Sequence, residues 1–112
     1  MSGITTHVLD TSRGRPAVGL TVELQAKSGS SWIAVGTGMT DANGRCGPLS
    51  GDQAAKPGIY RLIFRVGPYF EEQHVETFYS EIPIVFEVRP SDSHYHIPLL
   101  LSPFGYSTYR GS

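Results

Sequence analysis

Apolar and polar residues alternate along four stretches of this chain, a pattern typical of strands that bury one face. In the first stretch, Leu20, Val22 and Leu24 alternate with Thr21 and Glu23. The other three stretches cover residues 60–66, 82–88 and 95–101, and shorter strands are predicted at residues 4–10, 32–38 and 102–109. The pattern therefore predicts a fold built mainly from strands.

Turn residues divide these strands at regular intervals. The 13 glycines and 8 prolines recur about every ten residues, which is the spacing of a sandwich or a barrel. One short helix is predicted at residues 69–77, where two glutamates favour a helix and Pro68 can open it. We find no repeat and no linker, so residues 1–112 are interpreted as a single all-β domain.

Composition narrows the functional classes. The chain has 112 residues, with 39% hydrophobic and 17% charged residues and a net charge of -1. Lys and Arg form no long run, which argues against binding of nucleic acid or of an anionic membrane. Cys46 is the single cysteine, so no disulfide can form within the chain. With no leader-like segment at the start and no long apolar run, the expected location is the cytoplasm.

The histidines fall on outward faces of the predicted strands. In the strand predicted at residues 94–101, the residues His94, His96, Pro98 and Leu100 point away from the core, and His7 points outward from the first strand. An outer face that carries proline and leucine suggests that a second subunit covers this sheet. A site containing His96 would then lie at a subunit interface.

Three interpretations of these histidines remain open from the pattern alone. His94 and His96 have the spacing that puts two metal ligands on one strand face, but a third or fourth ligand is missing. Alternatively, histidine acts as a general acid and base, with Arg45 holding an anionic or carbonyl-rich substrate. In the third interpretation they are surface histidines of a binding domain. Cys46 has no recognisable base partner and is not predicted to be a nucleophile.

The closing residues Tyr109-Arg110-Gly111-Ser112 complete a pattern that runs through the whole chain. It comprises residues 4–10, 12–17, Thr40-Asp41-x-x-Gly44-Arg45, residues 57–60, the run His94-Tyr95-His96-Ile97-Pro98-Leu99-Leu100-Leu101-Ser102-Pro103 and residues 105–112. In these segments the chain resembles the 5-hydroxyisourate hydrolases, the transthyretin-related enzymes of urate breakdown. The hormone-carrying transthyretins share the fold but lack the Tyr-Arg-Gly-Ser ending and the histidine at position 96.

The resemblance implies a transthyretin-like sandwich of two four-stranded sheets with one short helix, assembled as a dimer of dimers. Its active sites would open at the dimer–dimer interface. The implied reaction is water attack on a ring carbonyl of 5-hydroxyisourate, giving 2-oxo-4-hydroxy-4-carboxy-5-ureidoimidazoline on the route to allantoin. The resemblance implies no metal and no organic cofactor.

Matched position by position, the resemblance also implies the site residues. The implied catalytic residues are His7, Arg45, His96 and Ser112, and the implied substrate-binding residues are His7, Arg45, Tyr109, Arg110 and Gly111. Arg45 would stabilise the developing oxyanion. One of His7 and His96 would take the proton of the water while the other holds or protonates the ring. The resemblance gives His74 and His94 no matching role, and a carrier of a small aromatic ligand remains the alternative function.

Overall fold

The computed structural model describes residues 3–51, 55–92 and 94–112. These residues form nine strands and one helix. In chain order they are β1 (Gly3–Asp10), β2 (Arg15–Pro16), β3 (Thr21–Ser28), β4 (Ser31–Met39), β5 (Arg45–Cys46), β6 (Gly58–Phe64), α1 (Val66–Glu72), β7 (Ile82–Val88), β8 (His94–Ser102) and β9 (Gly105–Thr108). The predicted all-β fold with one short helix is confirmed.

The strands form two sheets. One sheet has the order β2-β1-β8-β9, with β5 also paired to β1, and the other has the order β4-β3-β6-β7. Because β8 occupies one edge of β1, β2 and β5 share its other edge, at residues 9–10 and 6–7 of β1 respectively. The first sheet thus has five strands but is four strands wide.

The alternating stripes meet between the two sheets, where burial of apolar surface drives the folding. Fully buried side chains come from both sheets: Ile4, Val8, Val22, Leu24, Leu62, Phe64, Ile82, Leu99 and Leu101. The opposite face of β1 and β8 carries Thr5, His7, His94 and His96, which are partly buried. That face is where the candidate site lies.

The helix differs from its predicted position. It covers Val66–Glu72 rather than residues 69–77, so Val66 begins the helix instead of ending a strand. Pro68 is accommodated because the first turn needs no donor from it. The helix stops early because His74 adopts a left-handed φ of 59°. The N–H groups of His74 and Val75 then donate to the carbonyls of Glu71 and Phe70, each at 3.0 Å, which closes the C-terminus.

Part of the outer face of β8 is covered by the chain itself. Pro98 was predicted to point outward and to need a covering subunit, but it is buried in this chain. Thr108 donates to its carbonyl at 2.7 Å, and the backbone of Gly111 lies beside its ring. The strand pattern could not reveal this cover, because it comes from the path of the C-terminal residues.

Among the described residues, none of the helices is long and apolar enough to cross a membrane.

Candidate active site

Strand pairing brings His7, Arg45 and His96 onto one face of the five-stranded sheet. Residue Thr5 of β1 is the partner of His96 in the parallel pair with β8, and His7 is the partner of Arg45 in the antiparallel pair with β5. Directly paired residues point to the same face, and so do residues two apart on one strand. The three predicted polar side chains are therefore neighbours, although they are up to 89 residues apart in sequence.

A cleft of about 500 Å³ opens on this face. It is lined by Thr5, Thr6, Met39, Asp41, Arg45, Cys46, Gly47, His94, His96 and Ser112. His7 is not in the lining; it lies on the same face of β1, two residues beyond Thr5. The cleft thus gathers imidazole, guanidinium and hydroxyl groups, which suit a small polar ligand.

His96 is the best-defined acid–base group in the cleft. Its Nδ1 lies 2.8 Å from Oγ1 of Thr5, which orients the ring. Partial burial lowers the pKa of His96 most, and the electrostatic influence of Arg45, His7 and His94 lowers it further. The imidazole is therefore mostly neutral at neutral pH, the state in which it can accept a proton.

A tight loop between β4 and β5 positions Arg45. The Asp41 carboxylate accepts hydrogen bonds from the N–H groups of Asn43 at 2.8 Å and Arg45 at 3.0 Å. These two bonds lower the pKa of Asp41, so the carboxylate stays ionised. The N–H of Asp41 also donates to the Arg45 carbonyl at 2.9 Å. Asp41 therefore fixes the backbone from which Arg45 extends.

Gly44 allows this loop to approach β1. Its φ is +78°, and a Cβ there would lie 2.5 Å from the Val8 carbonyl oxygen and 3.4 Å from Cδ2 of His7. A side chain at this position would both strain the backbone and push the loop away from β1. The glycine thus keeps Arg45 beside His7.

The C-terminal residues divide between the two faces of the sheet. Gly111 donates its N–H to the His96 carbonyl at 2.7 Å, and Ser112 lines the cleft. Tyr109 and Arg110 instead line a second crevice of about 360 Å³ that includes Tyr95. Of the four predicted tail residues, the structure brings Gly111 and Ser112 to His96, whereas Arg110 extends toward the opposite face.

The remaining candidates are placed as follows. His94 lines the cleft, and its Nδ1 is buried with no hydrogen-bond partner among the described residues. His74 is exposed at the end of α1. Burial and the nearby carboxylate of Asp41 raise the pKa of Cys46, so its thiol is not activated as a nucleophile. No three His, Cys, Asp or Glu side chains are grouped as a metal site requires, within the part of the chain that the structure describes.

Sequence reasoning missed Thr5, Asp41 and Met39 as parts of the site. Thr5 lies on the same predicted face as His7, so its side chain could have been assigned to the site. Asp41 belongs to a recognisable turn sequence, but its bond to the Arg45 backbone depends on the loop conformation. Met39 comes from the other sheet, at the end of β4, and no sequence signal connects it to His96.

The two sheets form a sandwich, and one of them carries a cleft lined by histidine and arginine. The family model described as "Transthyretin: HIUase/Transthyretin family" matches residues 4–111. The chain therefore belongs to the HIUase/transthyretin family, as the sequence resemblance predicted.

Individual relatives come from both branches of this family. The 5-hydroxyisourate hydrolase of Salmonella typhimurium is 48% identical over 109 residues, covering 97% of this chain and 80% of that protein. The structure of Klebsiella pneumoniae 5-hydroxyisourate hydrolase matches with a TM-score of 0.87 and 35% identity, over 99% of this chain and 100% of that chain. Sea bream transthyretin in complex with thyroxine matches with a TM-score of 0.90 and 32% identity, over 96% of this chain and 93% of that chain.

Proposed function

We propose that this protein is a hydrolase that opens the six-membered ring of 5-hydroxyisourate. The observation that carries the proposal is the cleft in which His96, Arg45 and Ser112 meet. The relatives named 5-hydroxyisourate hydrolase support the substrate. The product would be 2-oxo-4-hydroxy-4-carboxy-5-ureidoimidazoline.

In the proposed mechanism, His96 is the general base. Thr5 engages Nδ1 of the ring, so Nε2 would accept a proton from water as the water oxygen bonds to the ring carbonyl carbon. The carbonyl oxygen becomes an oxyanion, which the Arg45 guanidinium stabilises. When the carbon–nitrogen bond breaks, protonated His96 returns the proton to the leaving nitrogen. His7, on the same face, would hold the ring, and Ser112 would donate a hydrogen bond to it.

The proposed reaction requires no metal ion. His94 and His96 are two residues apart on one strand, but the described residues offer them no third ligand in a group. The positive charge of the Arg45 guanidinium in the same cleft also disfavours a bound cation. The chemistry is therefore assigned to the side chains alone.

We further propose that four copies assemble as a dimer of dimers, with the cleft at the dimer–dimer interface. Met39 in the cleft lining is 62% exposed. An apolar side chain this exposed in a polar cleft fits a surface that another subunit covers. Sedimentation should give the mass of a tetramer, and a fully active monomer would contradict this assembly.

With its single buried cysteine, the enzyme is assigned to the reducing cytoplasm.

The similarity to sea bream transthyretin bound to thyroxine makes a carrier the second candidate. A cleft lined with His94, His96 and Arg45 favours an oxygen-rich ring over a hydrophobic hormone, because these groups need polar partners when a ligand excludes water. The two functions are separable by experiment. Generated in situ from urate, 5-hydroxyisourate should lose its absorbance much faster with the protein than in buffer. Tight thyroxine binding without faster decay would contradict the hydrolase.

A further inference from the structure

The C-terminal segment interrupts its pairing with β8 just before the cleft. β9 pairs Thr108 with Leu99, and the same register resumes only at the bridge between Gly111 and His96. Between them the register places Tyr109 opposite Pro98, which has no N–H to donate. One backbone bond, from the Gly111 N–H to the His96 carbonyl at 2.7 Å, therefore reattaches the segment to the sheet.

The Arg110 side chain supplies a second attachment on the opposite face. Its guanidinium carbon lies 4.5 Å from the centroid of the Tyr95 ring, a cation–π geometry. Its Nη2 donates to the His94 carbonyl at 3.3 Å, and its Nη1 lies 3.8 Å from the Asp92 carboxylate. Three separate groups on β8 and the loop before it thus hold the guanidinium.

The groups that receive Arg110 are themselves fixed. The Tyr95 hydroxyl donates to Asp92 at 2.9 Å and accepts from the Arg89 N–H at 2.8 Å. Tyr95 is 6% exposed, and its ring packs against Phe86 of the other sheet, with the ring centroids 6.2 Å apart. Arg110 therefore binds to a rigid part of the sandwich.

Gly111 connects Arg110 to the cleft, because its backbone contacts His96. A Cβ on Gly111 would lie 2.6 Å from Cδ2 of His96 and 3.2 Å from Cγ of Pro98, so the backbone lies directly against the imidazole. Ser112 follows and lines the cleft beside His96. Arg110 lies over the Tyr95 ring on the opposite face and is not among the residues that line the cleft, whereas Gly111 contacts His96.

From this arrangement we propose that Arg110 is a positioning residue, which holds Gly111 and Ser112 against His96 and does not itself contact the substrate. The proposal assigns Arg110 a different part from the substrate contact that the sequence resemblance implied. Its kinetic consequences rest on the proposed hydrolase function, but its structural consequence does not.

A cycle of four proteins tests the proposal kinetically: the full chain, Arg110→Ala, a chain ending at Arg110, and both changes together. In the full chain, Arg110→Ala should lower kcat/KM about 10- to 100-fold, because the segment loses its position. In the chain that lacks Gly111 and Ser112, the same change should alter kcat/KM less than about twofold. An equal loss in both backgrounds would show that Arg110 contacts the substrate, and would overturn the proposal.

Two further variants serve as a conservative replacement and as a control for this comparison. Arg110→Lys keeps the charge but loses the planar stacking on Tyr95, so it should restore only part of the activity. Arg13→Ala removes an exposed arginine that bonds Gln73 away from the cleft, and should leave the activity unchanged. Full activity in Arg110→Ala would contradict a positioning role.

A measurement without substrate separates this inference from the proposed function. In NMR spectra of the ring carbons, Arg110→Ala should move the His96 signal toward its position in the chain ending at Arg110, while the His74 signal stays in place. An unchanged His96 signal would overturn the proposal. If wild-type protein fails to accelerate decay of 5-hydroxyisourate, the proposed hydrolase function is wrong. The His96 signal still tests the role of Arg110 in that case.

Discussion

Replacing Thr5 by Val isolates the orientation of His96. The Thr5 hydroxyl lies 2.8 Å from Nδ1 of His96, and the two residues are partners in the parallel pair of β1 and β8. Valine keeps the branched shape and the preference for a strand but cannot hydrogen-bond the ring. The substitution therefore frees the imidazole with little change in packing.

The expected magnitudes follow from this single bond. Loss of one partly buried hydrogen bond costs about 1 kcal/mol of unfolding free energy. For a domain of this size, that loss lowers Tm by about 4 °C. Turnover should fall more, because a catalytic group misplaced by about 1 Å can lose on the order of a hundredfold in rate. We therefore expect kcat to drop about 10- to 100-fold.

The assay compares Thr5→Val with Thr11→Val. The Thr11 hydroxyl also bonds across to the strand beside β1, donating to the Leu101 carbonyl at 3.0 Å, but it lies outside the cleft. Melting curves should show similar losses for both variants, whereas the decay of 5-hydroxyisourate should slow only with Thr5→Val. Wild-type turnover in Thr5→Val, or an equal loss in Thr11→Val, would show that the Thr5 hydroxyl does not orient His96 for catalysis.

Three further predictions concern pH, the Arg45 loop and metals. Because the pKa of His96 is lowered from 6.5, kcat/KM should stay on its plateau at pH 7 and fall only at a pH below 6.5, and a fall in kcat/KM that begins above pH 7 would contradict this. The native state should also lose stability as the pH falls below 6.5, because the unfolded chain then binds the proton more readily. The variant His96→Asn should lack this loss of stability. Asp41→Ala should lower kcat/KM about tenfold or more by releasing the backbone of Arg45, and Asp41→Asn, which keeps an acceptor oxygen, should retain most activity; equal losses would argue against the loop bonds. Dialysis against a strong chelator should leave turnover unchanged, whereas activity restored by zinc would contradict the assigned chemistry.

The strands and the outward histidines could be predicted from the sequence because both follow from a period of two. The residues that alternate with the buried ones point to the opposite face, so His7 and His96 were correctly assigned outward positions. Their proximity could not be derived in the same way, since it depends on the parallel register of β1 and β8. Only the family resemblance placed them in one site.

Features that leave no repeating pattern in the sequence were missed or misplaced. The helix was predicted too late in the chain because His74, rather than a glycine, adopts the left-handed conformation that ends it. The two-residue strands β2 and β5 are too short to show alternation. The burial of Pro98 and the direction of Arg110 depend on the path of the C-terminal segment, which no local pattern encodes.

Hydrolysis of 5-hydroxyisourate in the cleft around His96 can be tested by comparing three proteins. Wild-type protein, His96→Asn and the control His74→Asn would be added at equal concentration to freshly generated 5-hydroxyisourate, and the decay of its absorbance followed. We expect rapid decay with the wild type and His74→Asn, and a rate lower by about two to four orders of magnitude with folded His96→Asn. Decay at the buffer rate with the wild type, or undiminished turnover in His96→Asn, would show that this cleft is not the hydrolytic site.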